Sequence, residues 1–180
     1  MASTAVGLLC LLAVMPVVSH AQERGGMPVP GPLERFVADA PDSLILERTR
    51  CLFGGCPAYR VMLDRGGSVH FVSGTAGTAA ETHVDSLTPL AMLFLMHEAE
   101  RAQVAELPLP LGASSLCAHR VLDMPSAYVR IYRGTDVMNI ADYQGCTPTD
   151  PVERRTLEAL RTFEHLIDAV TGSYRWADAK

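Results

Sequence analysis

The sequence predicts an α+β domain: an antiparallel sheet of two hairpins plus flanking strands, with two helices packed on one face. Three observations predict it. Short runs alternate between apolar and polar residues and are joined by glycine-centred connections, the pattern of hairpins. Two longer stretches open with proline at the first helical position and carry apolar residues at helical spacing. The order is strands, helix, strands, helix, which places the helices together against an antiparallel sheet.

In chain order, Leu44 to Arg50 reads as a strand entered from Asp42-Ser43. Cys51 to Pro57 is a turn with two glycines that presents Leu52 and Phe53. Ala58–Asp64 and Ser68–Ser73 form a hairpin around Arg65-Gly66-Gly67, with Gly67 in the left-handed position. That register pairs Leu63 with Val69, Val61 with Phe71 and Tyr59 with Ser73 on one face. Met62 with His70 and Arg60 with Val72 fall on the other; a slip of one residue would exchange the two faces. Gly74 to Ala80 is a loop of small residues, and Glu81 to Val84 a short edge strand.

Thr88 is placed to cap a helix from Pro89 to about Val104, since the missing N–H of proline costs nothing at the first position. Its first half, Leu90 to Met96, is apolar on all sides, which predicts burial between layers or against a partner. Leu107 to Ser115 is irregular. Ser126–Arg133 and Asp136–Tyr143 make the clearest hairpin, with Gly134-Thr135 as a two-residue connection. Ile131 opposite Met138 and Val129 opposite Ile140 form a core face; Tyr128, Arg130, Tyr132, Asn139 and Tyr143 lie on the other. The last helix starts at Asp150-Pro151-Val152-Glu153, a capping sequence, and carries Leu157, Leu160, Phe163, Ile167 and Val170 before Gly172 ends it. Tyr174 and Trp176 are expected to pack back onto the sheet.

Residues 1–21 read as a signal peptide: Ala5 to Val18 is apolar, and Ser19-His20-Ala21 predicts cleavage before Gln22. Cys10 follows Leu9, where a lipidation signal wants a small residue, so a lipoprotein is disfavoured. Residues 22–42 hold four prolines and three glycines and read as a flexible tether. A single domain follows over 43–178. The chain is expected to be exported, periplasmic or secreted, with no transmembrane segment after cleavage. A net charge of −5 without a basic run argues against nucleic acid as a partner.

Cleavage leaves Cys51, Cys56, Cys117 and Cys146, and four cysteines in an oxidising compartment point to two disulfides. Three connectivities are open. Cys51 and Cys56 bracket a short loop, and the second hairpin's register brings Asp123 opposite Cys146, within reach of Cys117. Both features favour Cys51–Cys56 and Cys117–Cys146 over the crossed pairings.

Catalytic signals are weak. Cys117-Ala118-His119, His70 and His83 are scattered, and there is no C-x-x-C pairing or H-E-x-x-H pattern to hold a metal. There is no G-x-S-x-G elbow. Gly74-Thr75-Ala76-Gly77 lacks the lysine of a phosphate loop. The reading therefore names no catalytic residue, cofactor or metal and leans away from an enzyme. The better candidates are binding surfaces: Phe53 on the Cys51–Cys56 loop, and the Tyr128, Arg130, Tyr132 and Tyr143 face. Aromatics and arginine are favoured interface anchors.

Arg50-Cys51-Leu52-Phe53-Gly54-Gly55-Cys56-Pro57-Ala58-Tyr59-Arg60, leading into a hairpin, resembles the opening motif of the bacterial exported family called domain of unknown function 6438. Cys51, Phe53, Gly54, Cys56, Pro57 and Tyr59 carry the likeness. Tyr143-Gln144-Gly145-Cys146 and Tyr174-Arg175-Trp176 are similar to later parts of its pattern. The resemblance implies export and an α+β domain and brings no activity. The reading that follows is an exported, noncatalytic envelope module binding an envelope protein or cell-wall component. The alternatives are a periplasmic inhibitor or immunity-type protein using the Cys51–Cys56 loop and, behind it, a hydrolase.

Overall fold

The computed structural model describes residues 40–51, 53, 55–74, 80–104, 117 and 119–177. The expected signal peptide, most of the tether, Leu52, Gly54, most of the Gly74–Ala80 loop and the Leu107–Ser115 stretch lie outside the described residues.

The fold is α+β. Six strands form one antiparallel sheet: β1 (Ser43–Arg48), β2 (Tyr59–Asp64), β3 (Ser68–Ser73), β4 (Glu81–Ser86), β6 (Ser126–Arg133) and β7 (Asp136–Tyr143). Their spatial order is β4-β3-β2-β1-β6-β7. A two-residue pair, β5 (His119–Arg120) with β8 (Cys146–Thr147), extends one end of the structure. The helices are α1 (Pro89–Arg101), α2 (Pro151–Thr171) and the short α3 (Tyr174–Ala177).

β1 lies in the middle of the sheet, paired along its length with β2 on one side and β6 on the other. Leu44 thus sits between Leu63 and Ile131, and Leu46 between Val61 and Val129. The period of two in each strand puts these residues on one face, and all six are buried. α1 supplies Met92, Leu95, Met96 and Ala99 to the same core, and α2 supplies Leu157, Leu160, Phe163 and Ile167. Both helices therefore cover one face of the sheet.

The hairpin registers match the sequence pattern pair for pair. Gly67 has a φ of 89°, and a Cβ there would overlap the carbonyl oxygen of Leu87, whose N–H donates to Gly67 at 2.7 Å. Gly134 takes the left-handed position in the second turn, at φ 56°.

Six details differ from the sequence reading. β1 ends at Arg48, and β4 runs on to Ser86 because Ser68 pairs with it there. α1 is not buried all round: its inward stripe follows a spacing of three and four, which turns Leu90 and Phe94 outward, about half exposed. Thr88 occupies the N-cap position, but its hydroxyl makes no capping bond. The second hairpin does not continue to place Asp123 opposite Cys146. Instead Val121–Met124 loops out, Asp123 takes a φ of 67°, and Arg120 faces Cys146. Of the two C-terminal aromatics, Trp176 packs as expected, stacked on His83 with ring centroids 5.3 Å apart, whereas Tyr174 is exposed.

Candidate functional site

The four cysteines pair as Cys51–Cys56 and Cys117–Cys146, with Cα–Cα separations of 5.5 and 5.1 Å. Both bridges lie at the end of the sheet where β1 leaves, β2 enters and β6 begins, and there they anchor two loops. The first presents Phe53, 87% exposed. The second is the Val121–Met124 turn, in which Val121, Leu122 and Met124 are 60%, 78% and 41% exposed. A direct bond joins them: the Phe53 N–H donates to Asp123 Oδ2 at 3.2 Å.

The turn is held from behind by the Tyr143-Gln144-Gly145-Cys146 segment. The Val121 N–H donates to the Gly145 carbonyl at 2.9 Å. The Tyr143 hydroxyl donates to the Val121 carbonyl at 2.7 Å and accepts from the Met124 N–H at 3.3 Å. Gly145 is needed for this approach, because a Cβ would overlap the Val121 carbonyl oxygen and the Tyr143 ring. Arg120 lies over the Tyr143 ring, 4.5 Å from its centroid. Tyr143 therefore braces the turn, apart from the tyrosines with which it shares a strand face.

Tyr128, Arg130 and Tyr132 do share a face, the one turned away from the helices and from Trp176, and all three are half-buried. Arg130 pairs with Glu47 at 3.0 Å, and Arg60 reaches the same Glu47 oxygen at 3.0 Å. Burial pushes the Glu47 carboxyl up, but the two guanidinium groups outweigh it and hold it below the usual range. The structure thus separates the sequence candidates: Phe53 and Tyr143 belong to the disulfide-bridged end, and Tyr128, Arg130 and Tyr132 to the open sheet face. His70 and His83 point to opposite faces, since His70 pairs with Val84 and His83 with Phe71. Among the described residues no three metal-ligating side chains converge.

Sequence reasoning missed a buried polar knot under α2. Arg48 Nη2 lies 2.8 Å from Asp168 Oδ2, and Arg48 Nη1 lies 3.3 Å from Glu164 Oε2. The Tyr59 hydroxyl donates to Asp168 Oδ1 at 2.7 Å and accepts from Arg48 Nε at 3.0 Å. Ser173 Oγ also donates to Asp168 Oδ1. Beside it, Arg161 clamps the Asp142 carboxylate at 2.9 Å and donates to the carbonyls of Tyr143, Gln144 and Cys146. Burial first, and the neighbouring Asp142 charge second, push Glu164 up to about 7 against the pull of Arg48 and Arg161. Burial and the Asp168 charge raise Tyr59 as well. The knot is largely buried and fastens the helix to β1 and β2. Its signal was present: Glu164 and Asp168 fall inside the apolar stripe, four and eight residues after Leu160.

A groove of about 490 Å³ lies between the end of α1 and the second hairpin, lined by Met96, Ala99, Val104, Ile131 and Met138, with Glu100 and Arg133 as its charged groups.

A profile of the family described as Domain of unknown function (DUF6438) matches residues 42–171. No curated protein matches the chain.

Proposed function

The chain belongs to the family described as Domain of unknown function (DUF6438), matched across all six strands of the sheet and both long helices, and from that premise we propose that it is an exported, noncatalytic binding module of the cell envelope. It docks through the disulfide-bridged tip. One observation carries this reading: Phe53, Val121, Leu122 and Met124 stand exposed on two loops that are each closed by a disulfide and joined by the bond from the Phe53 N–H to Asp123. Isolated exposed apolar residues are ordinary on a protein surface, whereas a contiguous patch marks an interaction site. The bracing by Tyr143 and Gly145 means that little conformational freedom is lost on binding, which favours affinity. Two bridges suit an oxidising compartment, in keeping with the apolar leader of residues 1–21.

The inhibitor reading draws on the same residue, since Phe53 could enter a cleft in a target enzyme; the docking module needs no such cleft. The test is retention of envelope material. Mature protein, from Gln22 onward, is immobilised beside a Phe53→Ser, Leu122→Ser double variant and exposed to an envelope extract. The native protein is expected to retain a component that the variant, unfolding at the same temperature, does not. Equal retention by both would move binding away from the tip and overturn the reading.

A further inference from the structure

We propose that the tip docks on the headgroup region of a bilayer containing anionic phospholipid. The inference rests on the reading of the tip as the docking surface and names what it meets.

Size is the first argument. The four exposed side chains amount to an apolar area on the order of 400 Å², about half the ~800 Å² per partner that a stable protein interface buries. A bilayer surface asks for no such area. It needs a few apolar side chains at an apex that can enter the boundary between headgroups and acyl chains. Phe53 and Leu122 are the two most exposed large apolar residues among those described.

Charge is the second. By sequence, the stretches 49–58 and 117–125 at this end hold Arg50 and Arg120 against a single carboxylate, Asp123. That carboxylate accepts from the Phe53 N–H. Arg50 and Arg120 are exposed. The chain as a whole is acidic at −5, so this end carries the opposite sign to the rest. A cationic collar around an apolar apex complements an anionic lipid surface, and the remaining negative charge would orient the molecule with its tip toward that surface. Arginine suits the collar because its stem lies along apolar surface while its head stays among polar groups, as Arg120 does over Tyr143.

The test is co-sedimentation of mature protein with phosphatidylcholine vesicles, with and without phosphatidylglycerol. Partition onto the anionic vesicles is expected to be roughly tenfold stronger and to weaken as salt is raised. Phe53→Asp with Leu122→Asp should abolish it, and Arg50→Gln with Arg120→Gln should remove most of the preference for anionic lipid. Each variant's thermal unfolding is recorded alongside, so that loss of fold is not read as loss of binding. Absence of sedimentation with anionic vesicles overturns the lipid assignment, as does sedimentation that the Phe53 and Leu122 changes leave intact. If vesicles fail while an envelope extract is still retained in a Phe53-dependent way, the partner is a protein and only the lipid inference falls. If neither depends on Phe53, the tip is not the docking surface.

Discussion

Glu164 shows how one side chain can set a pH response. It lies four residues after Leu160 and three before Ile167, on the apolar face of α2, and is 1% exposed. Its Oε1 has no hydrogen-bond partner among the described residues. A carboxyl in that position resists ionising, because moving a charge away from water costs more than Arg48 and Arg161 return. Folded, it keeps its proton up to about pH 7; unfolded, it releases it near the ordinary 4.5. Between those values the native state binds more protons, so this residue's contribution to stability is present at low pH and is lost as pH rises through the window. A gap of that width corresponds to on the order of 3 kcal/mol. Glu164→Gln should remove the decline. The difference between native and variant unfolding free energies, followed across the window, isolates it from Glu47, whose lowered value slopes the other way. Parallel profiles would show that Glu164 ionises freely in the fold.

At the scale of elements, α2 is fastened by its cap, its apolar stripe and the polar knot. The Asp150 carboxylate accepts from the N–H groups of Val152 and Glu153 at 2.8 and 3.0 Å, and Gly172 closes the other end at φ 69°. The cap satisfies donors that water could also reach, so Asp150→Ala should cost about 1 kcal/mol. Phe163 is 2% exposed, and Phe163→Ala would lose its contacts and open a cavity, costing roughly 3–5 kcal/mol. Domains of this kind commonly have about 5–15 kcal/mol in all, so the first change is tolerated and the second endangers the fold. Chemical denaturation with disulfides intact checks the order, and equal effects would contradict the packing of α2. α1 makes a contrast: without a capping hydroxyl bond, its position depends on Met92, Leu95 and Met96.

For the whole molecule, the two bridges constrain different lengths of chain, 5 and 29 residues apart in sequence. Closing the longer loop removes more freedom from the unfolded chain. Loss of Cys117–Cys146 as a double serine variant should therefore cost about 3–4 kcal/mol, and loss of Cys51–Cys56 about 2 kcal/mol. The shorter bridge acts mainly on the tip, so its removal should weaken binding more than stability. Thiol labelling of denatured, unreduced mature protein should find no free cysteine; two or more labelled per chain would contradict the paired state.

The sequence by itself determined the α+β class, both hairpin registers, the caps of α2 and the short Cys51–Cys56 pairing, whereas the register that favoured Cys117–Cys146 does not hold. Each depends on residues close along the chain. A period of two assigns faces, glycine at φ > 0 sets a turn, and Asp-Pro starts a helix whatever lies elsewhere. Only the tertiary structure decided that β1 lies between β2 and β6, that Arg48 and Tyr59 meet Asp168 across more than a hundred residues, and that the Phe53 N–H meets the Asp123 carboxylate. It also decided which candidate residues work together. Tyr143 lies on the Tyr128 side of the sheet by parity, yet the Val121–Met124 turn draws it to the tip. Glu164 and Asp168 were visible as polar intruders in an apolar stripe, but their partners were not. The division has one physical cause: local patterns follow from backbone geometry, whereas meetings between distant residues follow from how the sheet, helices and loops share one core, which no short window of sequence contains.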